Sequence, residues 1–323
     1  MTKNAPLRDA WQRLIQHHSF VLACHQNPDG DALGSALALA HVLRQQGKEA
    51  LVVCEGGLSE SYRFIPEQET LVEETDRRDF DVGILVDCEG LRRAGTAADA
   101  VAASRTAACI DHHIPDDEFG DIRVVDHKAS STAELVLRLL DASEVPIDSV
   151  AADQLMTGLV NDTGGFRFPN TTPAAFRAAA RLTELGANPS VIAREVYETR
   201  PARALKILGR ALDSLQVVAD GRVAWAQVQQ SDMQDFQAQD ADTDGIVNYI
   251  GFTRGAIVAM LFREVGTAEV RVSLRSREGF DVNRVARAFD GGGHKLAAGC
   301  TLKVPLAEAR KAVLAEVAKW MEC

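Results

Sequence analysis

The chain has 323 residues, of which 46% are hydrophobic and 25% charged, and its 35 Lys and Arg against 46 Asp and Glu give a formal net charge of −11. This composition is typical of a soluble globular protein, and at roughly 100–200 residues per domain the length predicts two domains. No apolar run approaches the roughly 18–20 residues of a membrane span, and the polar start of the chain differs from a signal peptide. We therefore expect a cytoplasmic protein without a membrane partner.

Charge is divided unevenly along the chain. Residues 200–323 carry 17 basic and 15 acidic residues, whereas residues 1–199 carry 18 and 31. The acidic part would repel a polyanion unless bound cations neutralise it, and the other part could contact phosphate directly. Long duplex nucleic acid is therefore not expected as a partner.

The cysteines form no Cys-x-x-Cys pair, and the first four lie at or near the ends of apolar, strand-like runs. We expect buried, reduced thiols rather than disulfides or a zinc site. The six residues are Cys24, Cys54, Cys88, Cys109, Cys300 and Cys323.

The first half alternates short β-rich runs with amphipathic helical ones. The predicted strands are Phe20–His25, Ala50–Glu55, Asp81–Cys88, Ala107–His113 and Ile122–Asp126. The predicted helices are Leu33–Gln46, Ser131–Leu140 with the spacing of a capping box, Ser149–Val160, and one that begins at Thr172 and Pro173. This alternation predicts an α/β fold with a doubly wound, mainly parallel sheet.

The pattern changes around Gly186–Pro201, where we place a domain boundary. Beyond it we predict a connecting helix at about Arg203–Leu215, strands Arg222–Val228, Gly255–Arg263 and Glu269–Arg275, a helix at Asp281–Phe289 and a Gly-rich turn. The predicted organisation is a first domain at 1–190, a helical linker at 191–215 and a smaller α/β domain at 216–323.

Acidic and imidazole side chains follow the ends of three predicted strands. These are His25, Asp29 and Asp31 after the first strand, Asp87 at the third, and Asp111, His112 and His113 at the fourth. A fourth segment with Asp162 follows a predicted helix. A single Asp after a strand, or the turn-like segment at 27–31, is alone more typical of a turn or a helix cap, whereas the triplet Asp111–His113 is less readily explained as a solvated loop. Because ligands of an open parallel sheet bind beyond the carboxyl ends of its strands, we expect these side chains to converge.

The donor types indicate which ion such a site would hold. Several Asp oxygens with imidazoles and no thiolate suit Mn²⁺ or Mg²⁺ better than a structural zinc. Four or more crowded carboxylates would repel one another unless two cations share them. Two such ions about 3.5–4 Å apart can clamp the oxygens of a phosphoester during in-line displacement. The first half therefore predicts hydrolysis of a phosphate ester.

The second half contains a candidate anion site. Arg271, Ser273 and Arg275 alternate along a predicted strand and so share one face. The run Gly291–His294, followed by Lys295, is a turn that can present backbone N–H groups and cations to an anion. Arginine suits phosphate recognition, although a solvated strand face and a glycine hairpin would give the same pattern. The signatures of P-loop, zincin and serine-hydrolase sites are absent from the sequence.

Seven motifs in order make the chain resemble the DHH/DHHA1 phosphoesterase family, specifically its small bacterial members of the oligoribonuclease (nanoRNase) and 3′-phosphoadenosine-5′-phosphate phosphatase type. They are HQNPDGDALGS at 25–35, VDCEG at 86–90, DHH at 111–113, SSTAEL at 130–135, NDTGGFRF at 161–168, VSLRS at 272–276 and GGGHKLAAG at 291–299. The resemblance spans nearly the whole chain.

The resemblance implies two divalent cations, with Mn²⁺ expected first and Mg²⁺ or Co²⁺ as alternatives. One ion would be held by His25, Asp29 and Asp87, and the second by Asp31, Asp87, His112 and Asp162, with Asp87 bridging the pair. Asp111 would orient His112 from behind, as carboxylates do for ligating imidazoles. His113 would face the scissile phosphate and stabilise developing charge or assist the leaving oxygen.

In the second domain, the resemblance implies a phosphate-binding set made of Arg275, Ser273, Gly291, Gly292, Gly293 and His294. Closure of this domain over the first would expel water and place the substrate between them. The chain departs from the family at Asp290, where an additional glycine is usual. The extra negative charge there bears on how tightly this set holds a phosphate.

The implied activity is hydrolysis of short oligoribonucleotides to mononucleotides, and also of adenosine 3′,5′-bisphosphate to AMP. Two small domains would hold only a few nucleotides between them. Phe166 and Phe168 could stack on a base, worth about 1–3 kcal/mol, or pack in the core, and the sequence favours neither. A homodimer through the first domain is implied by the resemblance alone.

Other activities remain open on the sequence. A phosphodiesterase of cyclic or linear dinucleotides would use the same metals, and a non-catalytic nucleotide-binding sensor would keep the same fold. Six convergent ligand candidates argue against a sensor. Single-strand DNA exonucleases of the family are generally longer, and manganese pyrophosphatases lack the GGGH turn that this chain has at 291–294.

Overall fold

The computed structural model describes residues 5–114, 119–277 and 279–321. Contacts between residues divide the chain into two compact units, Met1–Thr199 and Arg200–Cys323. None of the helices within the described ranges combines the length and the apolar character needed to cross a membrane.

The described part of the first unit is a parallel sheet covered by helices. Its strands are β1 (Ser19–Ala23), β2 (Glu49–Val53), β3 (Leu71–Val72), β4 (Val82–Val86), β5 (Thr106–Asp111) and β6 (Ile122–Val125). Its helices are α1 (Ala5–Ile15), α2 (Gly30–Gln45), α3 (Ala98–Ala103), α4 (Thr132–Ala142), α5 (Ser149–Asp162), α6 (Pro173–Glu184) and α7 (Pro189–Tyr197). All five strand pairs are parallel, in the order β3-β2-β1-β4-β5-β6.

The strand order reverses at β1 and β4, which lie side by side in the middle of the sheet. The predicted doubly wound α/β fold is therefore confirmed. In such sheets the crevice for a ligand opens at the reversal point, beyond the carboxyl ends of the two strands. A large apolar core holds α2, α4 and α5 against one face, and a smaller cluster containing α3 covers the other.

The five strands predicted in this half all form, each with ends within two residues of the prediction. Helix α2 begins at Gly30, three residues before the predicted start, because the Asp29 side chain accepts hydrogen bonds from the amides of Asp31 and Ala32 and caps it there. Ser131 caps α4 as predicted, but the box is not closed, since the Glu134 carboxylate accepts from Ser130 instead.

The second unit is built on a mixed sheet. Its strands are β7 (Gln216–Val218), β8 (Val223–Val228), β9 (Val258–Gly266), β10 (Glu269–Ser276), β11 (Gly292–His294) and β12 (Ala297–Leu302). Its helices are α8 (Ala202–Asp213), α9 (Gln230–Asp235), α10 (Ile246–Ile250), α11 (Val282–Arg287) and α12 (Leu306–Met321). The order is β11-β12-β10-β9-β8-β7, and β8 and β9 form its parallel pair among the described residues.

Two expectations about the strands of the second half need correction. The Gly-rich segment is not a plain turn, because Gly292–His294 forms edge strand β11, antiparallel to β12. Strand β9 begins at Val258, three residues later than predicted, after Gly255 adopts a left-handed conformation with φ +87°. Within the segment predicted as a linker, Ile192 on α7 is buried in the first-unit core and Ile207 on α8 is buried in a cluster of the second unit.

The prediction of buried, reduced thiols is confirmed for the five cysteines within the described ranges, which are all free and buried. The sixth, Cys323, lies outside the described residues.

Candidate metal centre

The acidic and imidazole side chains singled out in the first half do converge at the crevice. His25 follows β1, Asp87 follows β4 and His112 follows β5, while Asp29 and Asp31 start α2 and Asp162 ends α5. Three overlapping groups have ligand atoms within 4.8 Å of one another: His25, Asp29 and Asp87; Asp31, His112 and Asp162; and Asp87, His112 and His113. These groups could hold metal ions.

Asp87 belongs to two of the groups, and its two oxygens point to different imidazoles. Oδ2 lies 3.9 Å from His25 Nε2, whereas Oδ1 lies 3.7 Å from His112 Nε2 and 3.5 Å from His113 Nδ1. Asp87 has a left-handed backbone (φ +54°), a strained conformation that aspartate tolerates better than most residues. Its carboxylate therefore lies between the two halves of the site.

His112 Nε2 faces three carboxylates. It lies 3.0 Å from Asp162 Oδ2, 3.7 Å from Asp87 Oδ1 and 4.0 Å from Asp31 Oδ2. On the other side of the ring, Nδ1 is 3.4 Å from the Ala129 carbonyl oxygen, which favours the tautomer that leaves Nε2 unprotonated for a ligand. An imidazole nitrogen surrounded by carboxylate oxygens is a donor set that fits a divalent cation.

Asp31, in the first turn of α2, is fully buried, and its carboxylate lies against the first residues of α4. Its carboxylate accepts hydrogen bonds from the amides of Thr132 at 2.6 Å and Ala133 at 2.9 Å, and from the Ser35 hydroxyl at 3.2 Å. The exposed N–H groups at the start of a helix favour a negative charge, so α4 holds this carboxylate in one orientation.

The structure corrects one predicted contact. Asp111 Oδ1 accepts hydrogen bonds from Nδ1 of His113 at 2.8 Å and from its backbone amide at 3.0 Å, so Asp111 orients His113 and not His112. The cause is a turn directly after the last residue of β5: the Asp111 side chain accepts from the backbone amide two residues on, which brings the His113 ring to the same oxygen.

The pKa values report crowding of negative charge. Burial, and then the charges of Asp29 and Asp162, raise the pKa of Asp87 to about 7. Burial and the nearby Asp87 raise the pKa of Asp31 well above its usual range. Burial alone would lower the pKa of His112, but its contact with Asp162 and the surrounding carboxylates raise it to about 10. A cation would relieve the same repulsion that protons relieve here.

In the pair of His113 and Asp111, both pKa shifts favour the charged form of the side chain. Burial disfavours the charged forms of both, but their mutual hydrogen bonds outweigh it, lowering the pKa of Asp111 and raising that of His113. The His113 side chain is one-third exposed, so its ring is accessible at the crevice while Asp111 is buried.

The thiols close to the site remain protonated. Burial raises the pKa of Cys88 to about 12, and the hydrogen bond with Cys54 together with burial raises that of Cys24 well above its usual range. Within the described residues, none of the candidate metal groups includes a cysteine. Oxygen and imidazole donors without thiolate suit a hard or borderline ion.

Two residues that sequence reasoning missed support the site from behind. The Thr132 hydroxyl donates to Asp87 Oδ1 at 2.8 Å, and Asn161 Nδ2 donates to Asp29 Oδ2 at 3.2 Å. Both residues lie inside motifs quoted for the family resemblance, SSTAEL and NDTGGFRF, and their position at a helix end is the signal that could have identified them.

Phe166 and Phe168 have different environments. Phe166 stacks on Phe176 with 5.3 Å between ring centroids and packs against the large core. Phe168 is 50% exposed. Phe166 therefore packs against the core, and Phe168 is the more exposed of the two rings.

In the second unit, four of the six predicted phosphate-binding residues lie in two rows across β10, β12 and β11. In one row, Gly299 of β12 pairs with Ser273 on one side and Gly292 on the other. In the second row, Ala297 of β12 pairs with Arg275 on one side and His294 on the other. Residues in register share a face of the sheet, so the structure brings the strand and the glycine segment together.

An arginine-lined cavity of about 260 Å³ adjoins these rows, and its lining includes Arg263, Arg271, Ser273 and Arg275. Asp240 holds two of the guanidiniums, accepting from Arg263 at 2.6 and 3.1 Å and from Arg271 at 3.0 Å. The Arg275 guanidinium donates to the Leu274 carbonyl oxygen, and burial lowers its pKa, as expected of a cation with no carboxylate partner among the described residues. Sequence reasoning missed Arg263.

Asp290, the departure from the family pattern, adopts φ +56°, the region that favours glycine. It lines a second, more open cavity of about 690 Å³ together with Gly291 and Lys303. A Cβ on Gly291 would come within 2.3 Å of the Gly299 carbonyl oxygen, so only glycine lets β11 approach β12 at this point.

Known proteins share this arrangement over nearly the whole length. Residues 19–159 match the DHH family, N-terminal domain, and residues 220–322 match the DHHA1 domain. The chain is 30% identical over 313 residues to the bifunctional oligoribonuclease and PAP phosphatase NrnA of Thermus thermophilus, covering 94% of this chain and 92% of that protein. It is 27% identical to the protein of the same name from Bacillus subtilis, covering 88% and 90%.

A solved structure is similar to this chain over nearly its whole length. An exopolyphosphatase-related protein from Bacteroides fragilis superimposes with a TM-score of 0.90 at 28% identity, covering 99% of this chain and 98% of that one. A parallel sheet whose strand order reverses at its centre, with acids and imidazoles clustered there and a second sheet unit after it, defines a phosphoesterase of the DHH type. The chain belongs to the DHH family and carries a DHHA1 domain.

Proposed function

We propose that the chain is a two-metal phosphoesterase that hydrolyses short oligoribonucleotides to mononucleotides and also converts adenosine 3′,5′-bisphosphate to AMP. The observation that carries the proposal is the position of Asp87, whose two oxygens face two different ligand groups. The names of the Thermus and Bacillus relatives, which cover about nine-tenths of this chain, support the choice of substrates.

In this proposal, His25, Asp29 and Asp87 hold one cation, and Asp31, Asp87, His112 and Asp162 hold the other. When bound, a pair of divalent cations neutralises the carboxylates and stabilises the charge that develops on the phosphoryl oxygens. We propose Mn²⁺ as the ion, because the candidate donors are carboxylate oxygens and imidazoles without a thiolate.

His113 supplies the proton in this proposal. Asp111 fixes its Nδ1, so Nε2 is the nitrogen left to face the substrate. The hydrogen bond to Asp111 favours the imidazolium, which can donate its Nε2 proton to the leaving oxygen. In the second unit, Arg275, Ser273 and His294 with Gly291, Gly292 and Gly293 bind another phosphate of the substrate, and the arginine-lined cavity supplies the positive charge.

A Mn²⁺ dependence curve on four substrates side by side tests the proposal: pApA, adenosine 3′,5′-bisphosphate, cyclic di-AMP and a 5-mer RNA. We expect metal-dependent turnover of pApA, the 5-mer and the bisphosphate. Asp87→Ala and His112→Ala should abolish it while the circular dichroism spectrum stays that of the wild type.

Equal indifference to all four substrates would contradict the nucleotide assignment. Preferential hydrolysis of cyclic di-AMP would replace it with the cyclic-dinucleotide alternative. Undiminished turnover in metal-free buffer would contradict the two-metal chemistry.

A further inference from the structure

A chain of hydrogen bonds leads from the segment after β2 to Asp29. The Tyr62 hydroxyl donates to Asn161 Oδ1 at 2.9 Å, and Asn161 Nδ2 donates to Asp29 Oδ2 at 3.2 Å. Tyr62 lies in a short 3₁₀ turn at Glu60–Tyr62, and Asn161 is the penultimate residue of α5. Two elements far apart in sequence therefore meet at one candidate metal ligand.

The donor and the acceptor in each of these hydrogen bonds follow from the chemistry of the groups. An ionised carboxylate can only accept, so the Asn161 amide must point its NH₂ group at Asp29. Its oxygen then faces Tyr62, whose phenol must donate. Each group has one arrangement that satisfies both contacts, and the Asn161 side chain is held in it from both ends.

Both oxygens of Asp29 are consequently occupied. Oδ1 accepts from the amides of Asp31 at 3.0 Å and Ala32 at 3.1 Å, as the cap of α2, and Oδ2 accepts from Asn161. The Asp29 side chain is 44% exposed, so packing alone does not fix it. The two amides at the start of α2 hold Oδ1, and Asn161 fixes the rotation of the carboxylate through Oδ2.

The contact also depends on the residue next to Asp29. A Cβ on Gly30 would lie 2.9 Å from Asn161 Cβ and 3.0 Å from Tyr62 Cε1. The absence of a side chain at this position lets the Tyr62 ring and the Asn161 side chain reach the start of α2 together.

We propose that Asn161, oriented by Tyr62, is a positioning residue that preorganises Asp29 to bind a divalent cation. This inference rests on the metal-binding role of Asp29 in the proposed function. Residues that orient metal ligands typically contribute 10–100-fold to metal affinity, because the ligand geometry is set before the ion arrives.

Isothermal titration of the metal-depleted protein with Mn²⁺ tests the inference without reference to turnover. We expect Asn161→Ala to weaken the affinity of one of the two sites about 10–100-fold. Tyr62→Phe, which removes only the hydroxyl, should weaken the same site by up to about tenfold. The double variant should bind as Asn161→Ala does, since Tyr62 acts through Asn161.

Gln154→Met is the matched control. Gln154 Nε2 donates to the Pro66 carbonyl oxygen at 2.8 Å and thus ties the same segment to the same helix without touching Asp29. We expect wild-type Mn²⁺ affinity for it. An affinity loss as large as that of Tyr62→Phe would contradict the inference, because anchoring of the segment would then explain both.

Asp29→Asn separates the two proposals. Wild-type affinity in Asp29→Asn would overturn the metal-binding role of Asp29 itself. A weakened Asp29→Asn with wild-type affinity in Asn161→Ala and Tyr62→Phe would overturn only the positioning role. Thermal melting checks that each variant is folded, and if Asn161→Ala is not, the conservative Tyr62→Phe variant decides the question.

Discussion

Gly158 on α5 lies directly against the carboxylate of Asp31 on α2: a Cβ on Gly158 would come within 2.5 Å of Asp31 Oδ1. The two helices pack closely along their length, and a Cβ on Gly34 would likewise come within 2.2 Å of the Gln154 carbonyl oxygen. The glycines of α2 and α5 are therefore required for the position of a candidate metal ligand as well as for packing.

Gly158→Ala should displace the Asp31 carboxylate. We expect at least a tenfold loss of affinity for one of two Mn²⁺ ions and a loss of about 1–3 kcal/mol in the free energy of unfolding, the usual cost of overpacking a core. Gly209→Ala on α8 is the control, because nothing lies within 4 Å of the added methyl. It should leave Mn²⁺ binding unchanged and stabilise the helix by about 0.5–1 kcal/mol. Wild-type Mn²⁺ titration of Gly158→Ala would refute this account of the packing.

Thr132 should affect metal binding through Asp87. Thr132→Val keeps the shape but removes the hydroxyl that donates to Asp87 Oδ1, so we expect a 10–100-fold weaker apparent affinity for the activating metal. Thr132→Ser keeps the donor and should restore most of that affinity. The measurement is the Mn²⁺ concentration that gives half-maximal turnover of pApA. Equal behaviour of the two variants would show that the hydroxyl has no such role.

His41, which is not among the candidate metal ligands, should make the free energy of unfolding depend on pH. Its Nδ1 lies 2.9 Å from Glu67 and its Nε2 3.0 Å from Asp148, with Arg44 and Gln45 bonding the same two carboxylates. Burial lowers the pKa of His41, but the hydrogen bonds to Asp148 and Glu67 outweigh it and raise the pKa.

Because the folded pKa is raised, the imidazolium stabilises the fold fully below the unfolded value of about 6.5, and this contribution is lost as pH rises through the folded pKa. His41→Gln should cost about 1.5–3 kcal/mol at pH 5.5, from hydrogen bonds to charged groups, and progressively less at higher pH. Urea unfolding of both proteins from pH 5.5 to 9 measures the difference. A difference that does not change with pH would rule out this role of the imidazolium.

Arg275 should act on substrate binding and not on the metals. Arg275→Gln removes a guanidinium with no carboxylate partner among the described residues, so we expect KM for pApA to rise roughly 10–100-fold with unchanged Mn²⁺ affinity. Arg277→Gln is the control, since that guanidinium bonds the Gly251 carbonyl oxygen. Steady-state kinetics on both variants give the comparison. An unchanged KM in Arg275→Gln would remove it from the phosphate-binding set.

The sequence allowed the parallel sheet and the convergence of ligands to be predicted because both follow from local patterns. Alternating apolar runs predict the strands, and parallel strands bring the residues that follow them, such as His25 and Asp87, to one edge. Contacts between distant segments were not accessible in this way. Nothing in the spacing of Tyr62 and Asn161, or of Asp240 and Arg263, indicates that they meet.

Short or irregular elements were also missed, for physical reasons. Strand β3 has two residues, Leu71 and Val72, too few to show a period. Gly292–His294 forms a strand because β12 provides a partner, although glycine has low β propensity. The pairing of Asp111 with His113 depends on the turn that begins where β5 ends, at Asp111, and patterns locate strand ends only to within a few residues.

The central claim is that Asp87 joins two cations in the first unit. Anomalous diffraction at the manganese edge, on crystals grown with Mn²⁺, tests it most directly. We predict two peaks about 3.5–4 Å apart, one beside His25 and Asp29 and the other beside His112 and Asp162, with Asp87 between them. A single peak, or peaks that do not contact Asp87, would contradict the account.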